Sequence, residues 1–251
     1  MKDWHELGTE IANWLREYAD NNQITTLVIG ISGGIDSAVT STLCAMTGCR
    51  TIVVTMPIYQ NPDETDRGMK HCSWLNKNYD NIEILNIDLS NVYDQFINSI
   101  PEKFNNPLAL ANTRARIRMS TLYMISGNSN GIVVGTGNKV EDFGVGFFTK
   151  YGDGGVDISP IADLMKSEVY DLGGKLNIIS SIMNAKPTDG LWDDGRTDED
   201  QLGISYDELE WAMNYKGEKI NKNKQKILDI YNKHRNANLH KMKDIPIFKK
   251  K

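Results

Sequence analysis

The segment GISGGIDS, residues 30–37, places small residues and one carboxylate between an apolar β-branched run and a helical pattern. Glycines let a backbone approach a ligand closely, and the N–H groups that begin a helix attract phosphate oxygens. The segment lacks the lysine of a Walker loop and also the G-x-G-x-x-G spacing. A carboxylate beside a polyphosphate needs a cation between them, so we interpret Asp36 as a Mg²⁺ ligand. The alternative is a plain turn in which Asp36 caps the helix.

Further candidate residues lie downstream. Glu141 follows an apolar strand and suits a second magnesium carboxylate, with the exposed loop charge as the alternative. Asp153 lies in YGDGG, where flanking glycines keep its carboxylate accessible, so we expect it to accept a proton; otherwise it forms a turn. Lys166 would neutralise phosphate charge, the role that the lysine-free loop leaves open, unless it only begins a solvated helix.

Apolar strands alternate with helices along the chain, which predicts an α/β fold with a mostly parallel, five-stranded sheet and helices on both faces. The predicted strands are 25–31, 51–57, 82–89 and 131–138, and the predicted helices are 3–20, 37–48, 62–78, 107–126, 166–175, 206–215 and 222–236. Because ligands of such sheets bind at the carboxyl ends of the strands, the segment 30–37 lies where a ligand is expected.

Bulk properties exclude several classes of protein. A chain of 251 residues with a net charge of -5 is a poor candidate for broad nucleic-acid binding. No apolar run approaches the roughly 20 residues of a membrane helix. Three cysteines without C-x-x-C spacing fit buried thiols in a reducing compartment, which predicts a cytoplasmic protein.

The sequence SGGIDS resembles the pyrophosphate-binding loop of the ATP pyrophosphatases, which cleave ATP between its α- and β-phosphates. Longer stretches, residues 112–123, 135–173, 186–210 and 238–246, resemble the ammonia-dependent NAD synthetases in the order of that family. The resemblance implies that ATP adenylates nicotinic acid adenine dinucleotide (deamido-NAD) and that ammonia then displaces AMP to give NAD. It also implies a three-layer, adenine-nucleotide α-hydrolase-like fold, a Mg²⁺ requirement and a homodimer.

The resemblance further implies one synthetase domain over residues 1–251 without a glutaminase domain, and it assigns roles by position. The ATP-binding residues are Gly30, Ile31, Ser32, Gly33, Gly34, Ile35, Asp36, Ser37, Thr136, Lys166 and Thr188. The residues that bind deamido-NAD are Arg116, Lys150, Asp157, His240 and Lys241. Asp153 and Lys166 are the catalytic candidates, with Asp153 at the ammonia site as ammonium binder or proton acceptor, and Asp36 and Glu141 are the metal ligands. One extra residue precedes GFFTKYGDGG, which leaves Asp142 as an alternative to Glu141.

Two other readings remain. Another adenylating amidotransferase or a tRNA-modifying enzyme shares the loop, but the acidic charge and the lack of a basic tract disfavour it. A nucleotide sensor without turnover does not need two carboxylates placed for a metal.

Overall fold

The computed structural model describes residues 3–188, 190 and 196–250 as one α/β sandwich. Its strands are β1 (Thr26–Gly30), β2 (Arg50–Thr55), β3 (Ile82–Asn86) and β4 (Gly131–Val133), all parallel and in the order β3-β2-β1-β4. The central strand β1 is apolar and almost wholly buried, as expected for a sheet that is covered on both faces.

Helices cover both faces of this sheet. They are α1 (Trp4–Asn21), α2 (Ile35–Met46), α3 (Pro62–Asn78), α4 (Ser90–Asn98), α5 (Pro107–Asn128), α6 (Lys166–Lys175), α7 (Ser180–Met183), α8 (Asp198–Leu202), α9 (Tyr206–Asn214) and α10 (Lys222–Met242). A 3₁₀ turn spans Glu102–Phe104, and a π-helix spans Lys139–Val145.

Three apolar clusters define the layers. One packs α1, α2, α3 and α6 on one face of the sheet, and the second packs α4 and α5 on the other. The third joins the π-helix, α9 and α10 beside the end of β4. The third cluster therefore forms a C-terminal subassembly at the edge where ligands of parallel sheets bind.

The α/β fold with a parallel sheet is confirmed, but the expected five strands are wrong for the described residues, which form four. The fifth segment is reduced to a single parallel bridge between Val134 and Ile158. Pro160 follows two residues later and has no N–H to extend the ladder. Strand β4 is also shorter than predicted, and helix α4 was not predicted.

No helix among the residues that the structure describes is both long and apolar enough to cross a membrane.

Candidate active site

A cavity of about 700 Å³ opens at the carboxyl ends of the strands. It is lined by the segment 30–37, by the ends of β2 and β4, by α5, by the loop 146–153 and by α10. Every site residue predicted from the sequence lines this cavity except Asp157. The volume lies within the range of small-molecule sites in proteins, about 300–1,000 Å³.

The loop between β1 and α2 is a close-packed turn. Gly33 has φ +86°, and a Cβ there would lie 2.4 Å from the carbonyl oxygen of Glu64 on α3, so glycine is required. Ser37 Oγ donates to the carbonyl of Gly34 at 3.0 Å, and Ser32 Oγ accepts from the Gly34 N–H at 3.2 Å. The two hydroxyls thus shape the loop at the N-terminus of α2, where backbone N–H groups suit an anion.

A buried lysine joins the two carboxylates predicted as metal ligands. Lys166 Nζ lies 2.6 Å from Asp36 Oδ2 and 2.8 Å from Glu141 Oε1, and its side chain is only 4% exposed. Lys166 begins α6, Asp36 lies in the first turn of α2, and Glu141 lies in the π-helix. Three separate elements therefore converge on one ammonium group.

Opposite charges within this trio counteract the effect of burial on each group. Burial alone would lower the pKa of Lys166, but the charges of Asp36 and Glu141 raise it. Burial raises the pKa of Asp36, partly offset by Lys166. Burial also acts to raise the pKa of Glu141, yet Lys166 and the hydroxyl of Tyr206 keep it below its usual value. The formal charges of two carboxylates and one ammonium sum to one negative charge, which leaves room for a further cation.

Two neighbours of the trio were not predicted from the sequence. Asn138 Nδ2 donates to Asp36 Oδ1 at 3.0 Å, and Tyr206 Oη, at the start of α9, donates to Glu141 Oε1 at 2.5 Å. The Tyr206 ring also lies 4.9 Å from Lys166 Nζ. The signal for Tyr206 was present as the residue after the Ser205 helix cap, but a capping pattern does not show which side chain points inward.

The π-helix explains the extra residue before GFFTKYGDGG. A π-helix holds one more residue per turn than an α-helix, and such turns occur mostly at functional sites. Here Glu141 faces Lys166, whereas the Asp142 carboxylate lies so close to Gly137 that no Cβ would fit there. Only Glu141 of these two shares a hydrogen-bond donor with Asp36.

Helix α10 holds the end of the π-helix and the loop after it through side chains that donate to backbone carbonyls. Arg235 donates to the carbonyls of Phe143 and Gly144, Asn238 to that of Val145 at 2.9 Å, and Lys241 to that of Phe148 at 2.6 Å. These three residues recur on one face of α10. We call Arg235, Asn238 and Lys241 the α10 clamp.

Asp153 lies beyond the clamped loop, and its carboxylate is open to the cavity. Its Oδ1 accepts from the N–H of Thr149 at 3.0 Å. Desolvation by the surrounding protein raises the pKa of the Asp153 carboxyl. Desolvation and the charge of Asp153 together raise the pKa of Asp142 well above the usual range. Burial lowers the pKa of Lys241, which faces both carboxylates.

Arg116 and Lys150, two residues predicted to bind deamido-NAD, meet where α5 and the loop 146–153 line the cavity. Arg116 Nε donates to the carbonyl of Lys150 at 3.2 Å, and both line the cavity. Arg118 reaches the same cavity and donates to the Met56 carbonyl at 2.9 Å, although no role was predicted for it. Arg114 turns away and lies 5.3 Å from the ring of Tyr93.

Of the remaining predicted residues, Thr136, Thr188 and His240 line the cavity and Asp157 lies outside it. Thr188 Oγ1 donates to the carbonyl of Arg196 at 3.4 Å. Asp157 accepts from Tyr123 Oη at 2.9 Å and from the Val133 N–H at 2.8 Å.

The carboxylates suit Mg²⁺ in their chemistry. Mg²⁺ is commonly held by one or two carboxylates together with substrate phosphates, rather than by an all-protein cage. Asp36 and Glu141 lie close enough to share one lysine ammonium, beside a loop shaped for an anion. Among the described residues no group of three or more His, Cys, Asp or Glu side chains could hold a metal ion.

Comparisons with known proteins give a consistent result. The family model described as NAD synthase matches residues 7–251. The NH(3)-dependent NAD(+) synthetase of Alkaliphilus metalliredigens is 42% identical over 80% of this chain and 82% of its own. The solved NMN synthetase of Francisella tularensis is 33% identical, with a TM-score of 0.89 over 98% of this chain and 99% of its own. The NH3-dependent NAD synthetase of Campylobacter jejuni is 26% identical, with a TM-score of 0.77 over 99% of this chain and 100% of its own.

Proposed function

Because the chain belongs to the NAD synthase family, we propose that the cavity is where ATP and a pyridine nucleotide meet. The chain is a ligase that uses ATP and ammonia to amidate deamido-NAD to NAD. The observation that carries the site assignment is the buried Lys166 held between Asp36 and Glu141, beside a loop shaped for phosphates. Adenylation needs charged groups that are held in fixed positions beside the phosphates, and this cluster holds three such groups at the end of β1.

Adenylation is the first step. A carboxylate oxygen of the nicotinate attacks the α-phosphorus of ATP, the bond from that phosphorus to the bridging oxygen breaks, and pyrophosphate leaves. Backbone N–H groups of the loop 32–37 bind the phosphate oxygens, and Lys166 holds Asp36 and Glu141 in position. Mg²⁺, held by these two carboxylates and the phosphates, would neutralise charge on the triphosphate.

Amidation is the second step. The nitrogen of ammonia attacks the carbonyl carbon of the adenylate, the carbon–oxygen bond to AMP breaks, and nitrogen loses a proton. Asp153 is the proton acceptor, because its carboxylate opens into the cavity and its raised pKa makes it a stronger base than an ordinary aspartate.

Free ammonia as nitrogen donor agrees with the state of the cysteines. Glutamine use requires a separate nucleophile, normally an activated cysteine. Cys44, Cys49 and Cys72 are all buried, and burial raises the pKa of Cys72 to about 12 and that of Cys44 further. Neither thiol is set up to ionise. Three unpaired thiols also support a reducing, cytoplasmic setting.

The pyridine nucleotide binds along the wall formed by Arg116, Lys150, His240 and Lys241. Asp157 would take part if the binding site extends to a second copy of the chain. Large apolar side chains stand exposed on the α4–α5 face, among them Phe96 at 49% and Met124 at 81%. This face, next to Asp157 and Tyr123, supports a homodimer. Met124→Glu should then shift the mass measured by light scattering from dimer to monomer.

Nicotinic acid mononucleotide is a second candidate acceptor, and the same chemistry would convert it to NMN. The observation that favours it is the TM-score of 0.89 with the solved NMN synthetase of Francisella tularensis, against 0.77 for the Campylobacter NAD synthetase. The two acceptors share the reacting carboxylate and differ only in the adenylate half. The cavity chemistry above applies to both.

The deciding experiment measures pyrophosphate and amide product with ATP, Mg²⁺ and ammonium, using deamido-NAD and nicotinic acid mononucleotide in parallel. We expect product from deamido-NAD, with kcat/KM giving the ranking of the two acceptors. A preference of about 100-fold or more for the mononucleotide would reassign the physiological acceptor. Amide formation from glutamine in ammonia-free buffer would overturn the choice of nitrogen donor.

A further inference from the structure

The loop 30–37 carries no lysine, and the buried Lys166 is already bound to two carboxylates. Apart from a bound metal ion, a positive charge that faces the terminal phosphates of ATP would therefore come from another side chain of the cavity wall. Among the described cavity-lining cations to which no role has been assigned, Arg67, in the second turn of α3, contacts the backbone of the loop. It lines the cavity, and its Nε lies 3.4 Å from the carbonyl oxygen of Gly33.

Two facing glycines determine this position. Gly33 of the loop and Gly68 of α3 pack directly together, with 3.6 Å between the Gly33 nitrogen and the position of a Cβ on Gly68. A side chain on Gly33 would collide with the backbone of Glu64. Helix α3 therefore touches the loop backbone, and Arg67, next to Gly68, has its guanidinium at the loop.

Arg67 has no carboxylate partner in the described part of the chain. The ion pairs of α3 include Lys70 with Asp66 at 2.6 Å, one turn on and exposed, but none involving Arg67. The contact with Gly33 is long for a hydrogen bond and uses one of the five N–H donors of the guanidinium. The remaining donors are available to a ligand in the cavity.

We propose that Arg67 binds the β- and γ-phosphates of ATP and holds pyrophosphate as it leaves. A planar guanidinium pairs with phosphate oxygens in a bidentate manner, which fits a half-buried arginine whose donors are mostly free. The inference rests on the proposed adenylation step and adds a residue to it.

The topology indicates which phosphates Arg67 meets. Lys166, Glu141 and Asp153 lie on the β4 side of the loop, whereas α3 follows β2 and lies on the other side. The attacking carboxylate and the leaving group lie roughly in line across the α-phosphorus. With the acceptor on the β4 side, pyrophosphate departs towards α3 and Arg67.

The test measures equilibrium binding of ATP, pyrophosphate and AMP to the full-length chain by calorimetry, without any pyridine nucleotide. For Arg67→Ala we expect the Kd of ATP and of pyrophosphate to rise about 10- to 100-fold, the scale of a lost pair of charge-assisted hydrogen bonds. The Kd of AMP should change less than about 2-fold, because AMP lacks the phosphates that Arg67 contacts. Arg67→Lys should recover part of the loss. The matched control is Lys70→Ala on the same helix, which should leave all three affinities unchanged.

Two outcomes would overturn the proposal. Unchanged pyrophosphate affinity in Arg67→Ala would mean that Arg67 does not touch the leaving group. An equal loss for AMP, ATP and pyrophosphate would mean that Arg67 only supports the loop through Gly33. Arg67→Gln, with a thermal melt beside each variant, provides a second neutral substitution should the alanine variant unfold. Because no amide product is measured, failure here is separate from failure of the proposed function, which the acceptor assay tests on the unaltered chain.

Discussion

The two walls of the cavity are built in different ways. The nucleotide wall, where we propose that ATP binds, consists of β1, the loop 30–37 and the start of α2, which are adjacent in sequence and joined by regular backbone hydrogen bonds. The acceptor wall, where we propose that the acceptor is amidated, consists of a π-helix and an irregular loop, held by side chains of α10 that lie about 90 residues further along the chain. One wall is a product of local sequence, and the other depends on long-range contacts.

This difference predicts how far the structural effect of a substitution extends on each wall. On the nucleotide wall the backbone geometry is set by buried strands, so a change removes one interaction and leaves the frame intact. On the acceptor wall the loop backbone is positioned by a few side chains of α10, so a change distant from the reacting atoms shifts several contacts together. Lys166 and Tyr206 join the two walls, because the first contacts both Asp36 and Glu141 and the second holds Glu141.

Removing the link between the walls should have the largest effect. Lys166→Met leaves the buried carboxylates of Asp36 and Glu141 facing each other without their shared cation. We expect kcat/KM to fall by about 10²- to 10³-fold and the free energy of unfolding to fall by about 3 kcal/mol. Steady-state product formation and urea denaturation measure the two quantities.

The control for this link is Lys175→Met at the exposed end of the same helix, which should change neither quantity. Added Mg²⁺ should raise the melting temperature of Lys166→Met more than that of the unaltered chain, because a cation then replaces the missing ammonium. Near-normal turnover in Lys166→Met would show that the two walls do not depend on this residue.

The second-largest effect is a loss of stability at low pH, and it arises where α2 packs on α3 behind the nucleotide wall. His71 is fully buried, Nε2 lies 2.9 Å from Ser41 Oγ, and the ring stacks on Trp74. Burial lowers the pKa of His71 to about 4. The folded chain therefore keeps this histidine neutral, whereas the unfolded chain protonates it below about pH 6.5.

The sign of the pH effect follows from this depressed pKa. The contribution of His71 to stability is complete above about pH 6.5 and is lost as the pH falls towards 4. Between pH 7.5 and 5.0 the loss amounts to about 2 kcal/mol in the free energy of unfolding. Urea denaturation at both pH values should show this loss in the unaltered chain and in the control His5→Gln, at an exposed site on α1. It should be reduced in His71→Gln, and equal losses in all three proteins would contradict the prediction.

The same contrast between walls explains what could be predicted from the sequence. The position of the loop 30–37 between a strand and a helix was predicted, because its glycines, strand and helix are neighbours in the sequence, and so were the bounds of α3 and α6. The number of strands was predicted wrongly, because the segment after β4 contributes only a single bridge in place of a fifth strand. The π-helix was not predicted, and the α10 clamp left no signal, because nothing in a helical pattern indicates which carbonyls its side chains reach.

A smaller effect is expected from the α10 clamp itself. Arg235→Ala removes the donors to the carbonyls of Phe143 and Gly144, which end the π-helix. We expect kcat to fall about 5- to 10-fold, in keeping with hydrogen bonds from a charged group, while the KM for ATP stays nearly constant. Lys233→Ala, an exposed change on the same helix, is the control. A rise in the KM for ATP of similar size would mean that α10 supports both walls equally, and the contrast between them would fail.

The mildest and most selective change tests how Glu141 is held. Tyr206→Phe removes one hydroxyl and keeps the ring that packs beside Lys166. Both Lys166 Nζ and Tyr206 Oη donate to the same oxygen, Oε1, so without the hydroxyl the carboxylate keeps its ion pair and gains freedom to rotate. If Oε2 is the oxygen offered to Mg²⁺, rotation weakens the metal contact without abolishing it. We therefore expect kcat/KM for ATP to fall about 3- to 10-fold at limiting Mg²⁺ and to recover at saturating Mg²⁺. Binding of Mn²⁺ with a non-hydrolysable ATP analogue, followed by electron paramagnetic resonance, should weaken in parallel.

The control is Tyr215→Phe, at the other end of α9. The hydroxyl of Tyr215 donates to the carbonyl of Glu218, so this variant should behave like the unaltered chain. A loss in Tyr206→Phe that persists at saturating Mg²⁺ would place Tyr206 in the packing of the C-terminal subassembly, and not in the support of Glu141.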